Sequence, residues 1–284
     1  MKRPMRIIQR KDSKSSEEVG ELKVRKPGKQ RKYRCYVFYG PAGTGKTTLA
    51  STFPGPIAMG DFRDQGDDSI SDVDDLEVYQ IETWDDAETF YWQAKKGKLK
   101  DSAGKPFKPE TLVIDTATNW QQMCIEHVLE MKKKKSSKMA GDWGSMTKQE
   151  WGEVASLMKQ WLALYKSLEM NIVFLAQQRV FNADEDEGSD SELTPEVGAR
   201  LSPSVKDALN AAADVIGSTF VKRKIIVKEV KGKKVKRERS IYCLRVGPNP
   251  VYITKIRKPR KTDAPSVIED PVYEDILSVI KGEA

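Results

Sequence analysis

One stretch constrains this chain more than any other: Gly40-Pro41-Ala42-Gly43-Thr44-Gly45-Lys46-Thr47, with the spacing G-x-x-x-x-G-K-[ST]. It follows YRCYVFY, an aromatic and β-branched run of strand type beginning at Tyr33, and it precedes the helix-compatible TLAST. Strand, glycine-rich loop and helix in that order make a P-loop. The glycines let backbone N–H groups turn inward on phosphates, and the helix start at Lys46, Thr47 and Thr48 adds its positive end. In this pattern Lys46 reaches the β and γ phosphates of a nucleoside triphosphate, and Thr47 ligates Mg²⁺. ATP and Mg²⁺ are therefore the expected cofactors.

Such a loop needs a sheet to hold its strand, and the rest of the sheet is readable. A short strand at 56–59 precedes an acidic stretch. TLVID ends on Asp115, and NIVFLA, residues 171–176, ends at Gln177. Continuous apolar strands separated by helices predict a parallel sheet covered on both faces, an α/β fold. Trp120, Met123, Cys124, His127, Val128 and Met131 recur at three- and four-residue spacing, as do Trp151, Val154, Met158, Trp161, Tyr165 and Leu168. Thr147-x-x-Glu150 offers a capping box before the second set. These stripes read as core, and His127 as a packing residue. Past residue 205 the pattern turns to strands at 215–221, 224–230, 240–246 and 251–254, with Lys231-Gly232-Lys233-Lys234 turning a hairpin. Residues 182–204 read as a loop. The domain reading is a basic arm at 1–32, an ATPase core at 33–261 that includes the hairpin at about 221–246, and a tail at 262–284 with a short helix.

Charge is segregated. The net of +7 combines +9 over residues 1–34 and +14 over residues 221–261 with twelve acidic side chains against Arg63 alone in residues 61–90. Two basic blocks on an acidic body suggest a polyanion partner, because each Lys or Arg placed at a phosphate releases counterions. Cys35, Cys124 and Cys243 are odd in number and far apart, which argues against a disulfide framework or a zinc site. No apolar run approaches the ~18–20 residues that span a bilayer, so a membrane partner is not expected and a cytoplasmic location is.

Asp115, ending an apolar strand, is the natural second Mg²⁺ carboxylate. Thr116 follows it where many AAA+ machines carry their catalytic Glu. Water activation then falls to a carboxylate after the second strand, Asp61 or Asp64, and Gln177 is placed to sense the γ-phosphate.

The order of GPAGTGKTTLASTFPGP, TLVIDTATNW, NIVFLAQQR, LNAAADVIG and LRVGPNPVYITKIRKPR resembles the RecA/RadA-like core, most closely the phage nucleotide-binding proteins of the Sak single-strand annealing group. The resemblance brackets residues 35–261. It implies a RecA-like parallel sheet with a C-terminal antiparallel extension, and a slow DNA-dependent ATPase. It also implies ATP at the interfaces of a ring or filament of identical subunits, single-stranded DNA as substrate, and recombination of phage DNA in the host cytoplasm. Lys255 and Arg257 resemble the paired cations that reach a neighbouring subunit's γ-phosphate. Relatives tend to end their second strand with Asp-Thr-Glu, whereas this chain reads Met59-Gly60-Asp61-Phe62-Arg63-Asp64, so Asp64 is taken as the substitute.

In RecA-like proteins, loops after the Asp115 and Gln177 strands bind DNA. The first here holds Lys132, Lys133, Lys134, Lys135 and Lys138, with Trp143 for base stacking. The second, residues 182–196, has seven acidic residues and no basic one. A single-strand-binding protein is a further expected partner. Two other readings stay open: a replication adaptor or helicase loader switched by ATP, and a P-loop nucleotide kinase.

Overall fold

A computed structural model describes residues 33–135, 146–181, 195–230 and 233–283. Its centre is a mostly parallel sheet. Strand β1 (Cys35–Gly40) is flanked by β5 (Asn171–Phe181) on one side and β7 (Val215–Val230) on the other, both parallel to it. Beyond β5 come β4 (Thr111–Asp115), β2 (Ile57–Asp61) and β3 (Leu76–Gln80), all parallel. Beyond β7 the pairing turns antiparallel, through β8 (Lys233–Arg245) to β10 (Val267–Glu269). The short β6 (Glu196–Ala199) pairs the end of β5, and β9 (Lys255–Ile256) pairs the start of β7. This is a P-loop NTPase fold with an antiparallel C-terminal edge.

Both faces of the parallel strands are covered, which explains their unbroken apolar sequences. On β1, Val37 and Tyr39 point to a core shared with α2 (Trp84–Lys95), α3 (Ala117–Lys135), α4 (Lys148–Lys166) and α5 (Pro203–Ala212). Tyr36 and Phe38 point the other way, against α1 (Lys46–Ser51) and α6 (Tyr273–Lys281). The first core is aromatic: Tyr91 meets Trp161 and Tyr165 edge-on, with ring centroids 5.2 and 5.1 Å apart, and Trp120 meets Tyr165 at 5.4 Å. Edge-to-face contacts of this kind place the positive ring edge on the negative ring face. His127 stacks on Trp84 at 5.3 Å. Thr147 and Glu150 form the capping box at the start of α4. The three cysteines are buried free thiols, and burial pushes Cys35 and Cys124 up to about 12.

The structure redraws several boundaries. The separate strands expected at 215–221 and 224–230 are one, β7, because β8 pairs it from Ser218 to Val230 without a break. Residues 251–254 are not a strand: Val251 and Tyr252 donate their N–H groups to the Asn249 side chain, and the short strand follows at Lys255. Part of the expected loop at 182–204 is β6 and the start of α5, since the far end of β5 supplies a pairing edge. Among the described residues, no helix is long and apolar enough to cross a membrane.

Candidate functional site

Parallel pairing brings the C-terminal ends of four strands to one edge of the sheet. Gly40 of β1 lies level with Gln177 of β5, and Asp115 of β4 lies level with Asp61 of β2. Ligands of open α/β sheets bind at such an edge.

The loop between Gly40 and Lys46 is fixed by three glycines and two hydroxyls. Gly43 and Gly45 have φ of 72° and 79°, where a side chain would be strained. At Gly40 the exclusion is steric, since a Cβ would lie 2.2 Å from the Thr219 Oγ1. That hydroxyl lies 2.7 Å from Thr44 Oγ1, which in turn donates to the Pro41 carbonyl at 2.8 Å. Thr219 of β7 thus braces the loop from the neighbouring strand, a role with no motif to announce it. Lys46 crosses the loop and donates to the carbonyls of Pro41 at 2.8 Å and Gly40 at 3.2 Å. Burial holds its ammonium below the usual lysine range, with Asp115 and Asp64 opposing.

Thr47 Oγ1 donates to Asp115 Oδ2 at 2.8 Å. Asp115 is only 4% exposed, and its pKa is pushed up to about 6, first by burial and further by Asp64 and Asp61, against the Thr47 hydrogen bond and Lys46. A hydroxyl beside a buried carboxylate is a hard-oxygen pair suited to Mg²⁺. Among the described residues no cluster of three His, Cys, Asp or Glu could hold a metal alone. The Thr47–Asp115 pair fits the usual Mg²⁺ arrangement of one or two protein ligands completed by substrate phosphates and water.

Asp64 lines the same cavity of about 540 Å³ as the loop. Its carboxyl is held above the usual range by partial burial and by Asp61, with Lys46 opposing. Asp61 is occupied in shaping the turn: its Oδ1 accepts the N–H of Asp64 at 2.7 Å and of Gln65 at 3.1 Å. Arg63, at the position where a Glu was expected, turns away. It pairs with Glu126 at 2.8 Å and donates to the Glu82 carbonyl. The turn thus takes the arginine out of the site and leaves Asp64 as the carboxylate of this turn that lines the cavity.

Gln177 also lines the cavity. Its N–H donates to Thr118 Oγ1 at 3.1 Å, and its Oε1 accepts from Arg200 at 3.2 Å. Arg200 follows β6, so the Gln177 side chain is tied directly to the paired strands β5 and β6.

Lys255 and Arg257 do not join this cavity. Lys255 pairs with Ile216 at the opposite end of the sheet, where Val215 lies level with Tyr36. Four residues of strand separate Tyr36 from Gly40, roughly 13 Å at strand rise. There Arg257 pairs with Asp214 at 2.9 Å, and Lys255 donates to the Asn210 carbonyl at 2.9 Å. Of the expected DNA contacts, Lys132 is ion-paired with Glu150 at 3.3 Å and Glu153 at 3.8 Å. Lys133, Lys134 and Lys135 complete α3, while Lys138 and Trp143 lie outside the described residues. Tyr242, Asp270, Pro271 and Val272 line the cavity as well, and the sequence held no signal for them.

A family model described as "AAA domain" matches residues 32–257, well over half of the chain. No curated protein matches it.

Proposed function

The chain belongs to the AAA-domain family, which implies nucleotide binding and hydrolysis, and from that premise we propose an ATPase that binds single-stranded DNA and promotes its annealing. The observation that carries the nucleotide part is the meeting of Lys46, Thr47 and Asp64 at one cavity on the sheet's C-terminal edge, with Asp115 hydrogen-bonded to Thr47. The DNA part rests on the basic segments at 1–34 and 221–261 and on the resemblance to Sak-type annealing proteins.

The P-loop amides bind the phosphates, and Lys46 exchanges its two carbonyl partners for phosphate oxygens. Thr47 and Asp115 would hold Mg²⁺, which when bound would neutralise charge developing on the transferred phosphoryl group. Asp64, beside Lys46, orients the attacking water and accepts its proton. Gln177 reads the γ-phosphate and moves Arg200 with it. Lys255 and Arg257 lie away from their own cavity, and in this reading they exchange Asp214 and the Asn210 carbonyl for the nucleotide of a neighbouring copy, which couples ATP to assembly into a ring or filament.

The test is annealing of complementary fluorescent strands by the full chain with ATP, with a non-hydrolysable analogue and without nucleotide. ATP-dependent annealing that Lys46→Ala abolishes supports the reading. Hydrolysis with no response to DNA and no annealing overturns the DNA part and favours the ATP-switched adaptor.

A further inference from the structure

The phosphate loop forms only one wall of its cavity. The volume, about 540 Å³, lies in the range that takes a whole small-molecule ligand. A second wall is formed by Tyr242, Asp270, Pro271 and Val272. We propose that this wall is the subsite for the nucleoside half of the nucleotide. Tyr242 supplies the stacking surface, and the Asp270 carboxylate accepts hydrogen bonds from the nucleoside's N–H or O–H groups. The proposal rests on reading the P-loop as the triphosphate site.

Tyr242 stands on β8 two residues before Leu244, which is fully buried in the core beneath α1 and α6. Alternation along the strand puts Tyr242 on that same face. It lies beyond the end of the core, over the start of α1: its ring comes within 3.1 Å of where a Cβ on Gly45 would be. Apolar side chains of its size are mostly buried here, yet Tyr242 is 46% exposed and Val272 37%. An aromatic face held open beside a phosphate loop is suited to a base, because every base has a π-face to stack.

Asp270 is locked to that ring's backbone. Its N–H donates to the Tyr242 carbonyl at 2.6 Å, and its Oδ1 accepts the Tyr242 N–H at 3.1 Å. Arg239 donates to Oδ2 at 3.3 Å. Each carboxylate oxygen keeps a lone pair, and an ionised carboxylate only accepts. It therefore selects ligands that offer donors, a ribose hydroxyl or an exocyclic amine. Asp270, Pro271 and Val272 lie outside residues 32–257, so all of this wall except Tyr242 comes from the part of the chain beyond the family match.

Calorimetry with the full chain in Mg²⁺ separates the two halves, using ATP against inorganic tripolyphosphate. Tyr242→Ala is expected to weaken ATP about tenfold to a hundredfold, a loss typical of base stacking, and to leave tripolyphosphate unchanged. Tyr242→Phe keeps ATP binding, and Lys46→Ala loses both ligands. Comparing ATP with dATP and ITP assigns the donor: Asp270→Asn erases a wild-type preference over dATP if the partner is the 2′-hydroxyl, or over ITP if it is the amine. Equal loss of ATP and tripolyphosphate in Tyr242→Ala, or no change in either, overturns the subsite while the phosphate reading stands. Absence of any wild-type preference among the three nucleotides overturns the role of Asp270. A wild-type protein that binds neither ATP nor tripolyphosphate overturns both readings.

Discussion

The two ends of the parallel sheet each hold a buried aspartate, and their surroundings differ. At the N-terminal end, Asp214 is 2% exposed, accepts the Cys35 N–H at 3.1 Å and pairs with Arg257 at 2.9 Å. At the C-terminal end, Asp115 is nearly as buried but among the described residues accepts a side-chain hydrogen bond from the neutral Thr47 hydroxyl alone, with Lys46 attracting and Asp64 and Asp61 repelling its charge. A buried carboxylate needs a counter-charge or donors to offset its lost hydration. The first end supplies a paired guanidinium and a backbone donor, whereas the second supplies one hydroxyl and the nearby Lys46, and in the proposed function a bound cation would supply the rest.

The largest effect expected from this contrast is on Asp214. Asp214→Ala strands the Cys35 N–H and removes the partner of Arg257, and should lower unfolding stability by about 3 kcal/mol in urea titration. A loss below about 1 kcal/mol would break the comparison.

The second effect has the opposite sign. Asp115 is raised from 3.8 to about 6 by burial, with Asp64 and Asp61 adding to it, so the folded state binds a proton more tightly than the unfolded state does. Its contribution to stability is therefore favourable at low pH and is lost as pH rises through about 6. Asp115→Asn, which still accepts from Thr47, should stabilise the metal-free protein by about 3 kcal/mol at pH 8. The gain should shrink as pH falls through 6 and vanish below about 4. Thermal melts across that range, in chelator, would show it; a pH-independent difference would contradict the assignment.

How legible these ends were follows from how local their causes are. The loop, Lys46, Thr47 and Asp115 are written in contiguous segments, an apolar strand and a spacing. Thr219, Tyr242 and Asp270 reach the same cavity through pairing of β7 with β1 and of β10 with β8, across gaps in sequence that no motif spans. Arg63 looked like an intruder in the site because its partner, Glu126, is 63 residues away. The cations Lys255 and Arg257 were readable as a pair, but not the buried Asp214 that fixes one of them at the far end. The single strand β7 was split in the reading because Lys222 and Arg223 interrupt its apolar pattern. They lie on a two-stranded ribbon that has left the core, where polar residues cost little.

The smallest effect concerns the basic helix end. Lys132 is partly exposed and paired with Glu150 and Glu153, so Lys132→Ala should change stability by less than about 1 kcal/mol. If Lys132 exchanges those partners for a phosphate, the variant's salt slope for single-stranded DNA should flatten by about 0.7. An unchanged slope would assign the lysine to α4 alone.

The most direct test of the central claim, that Asp115 is kept for a cation brought with the nucleotide, is ATP affinity with and without Mg²⁺ at pH 8 in the wild type and Asp115→Asn. The account predicts that Mg²⁺ strengthens ATP binding at least tenfold in the wild type and by little in the variant, while metal-free affinity is equal or higher in the variant. Equal strengthening by Mg²⁺ in both proteins would contradict it.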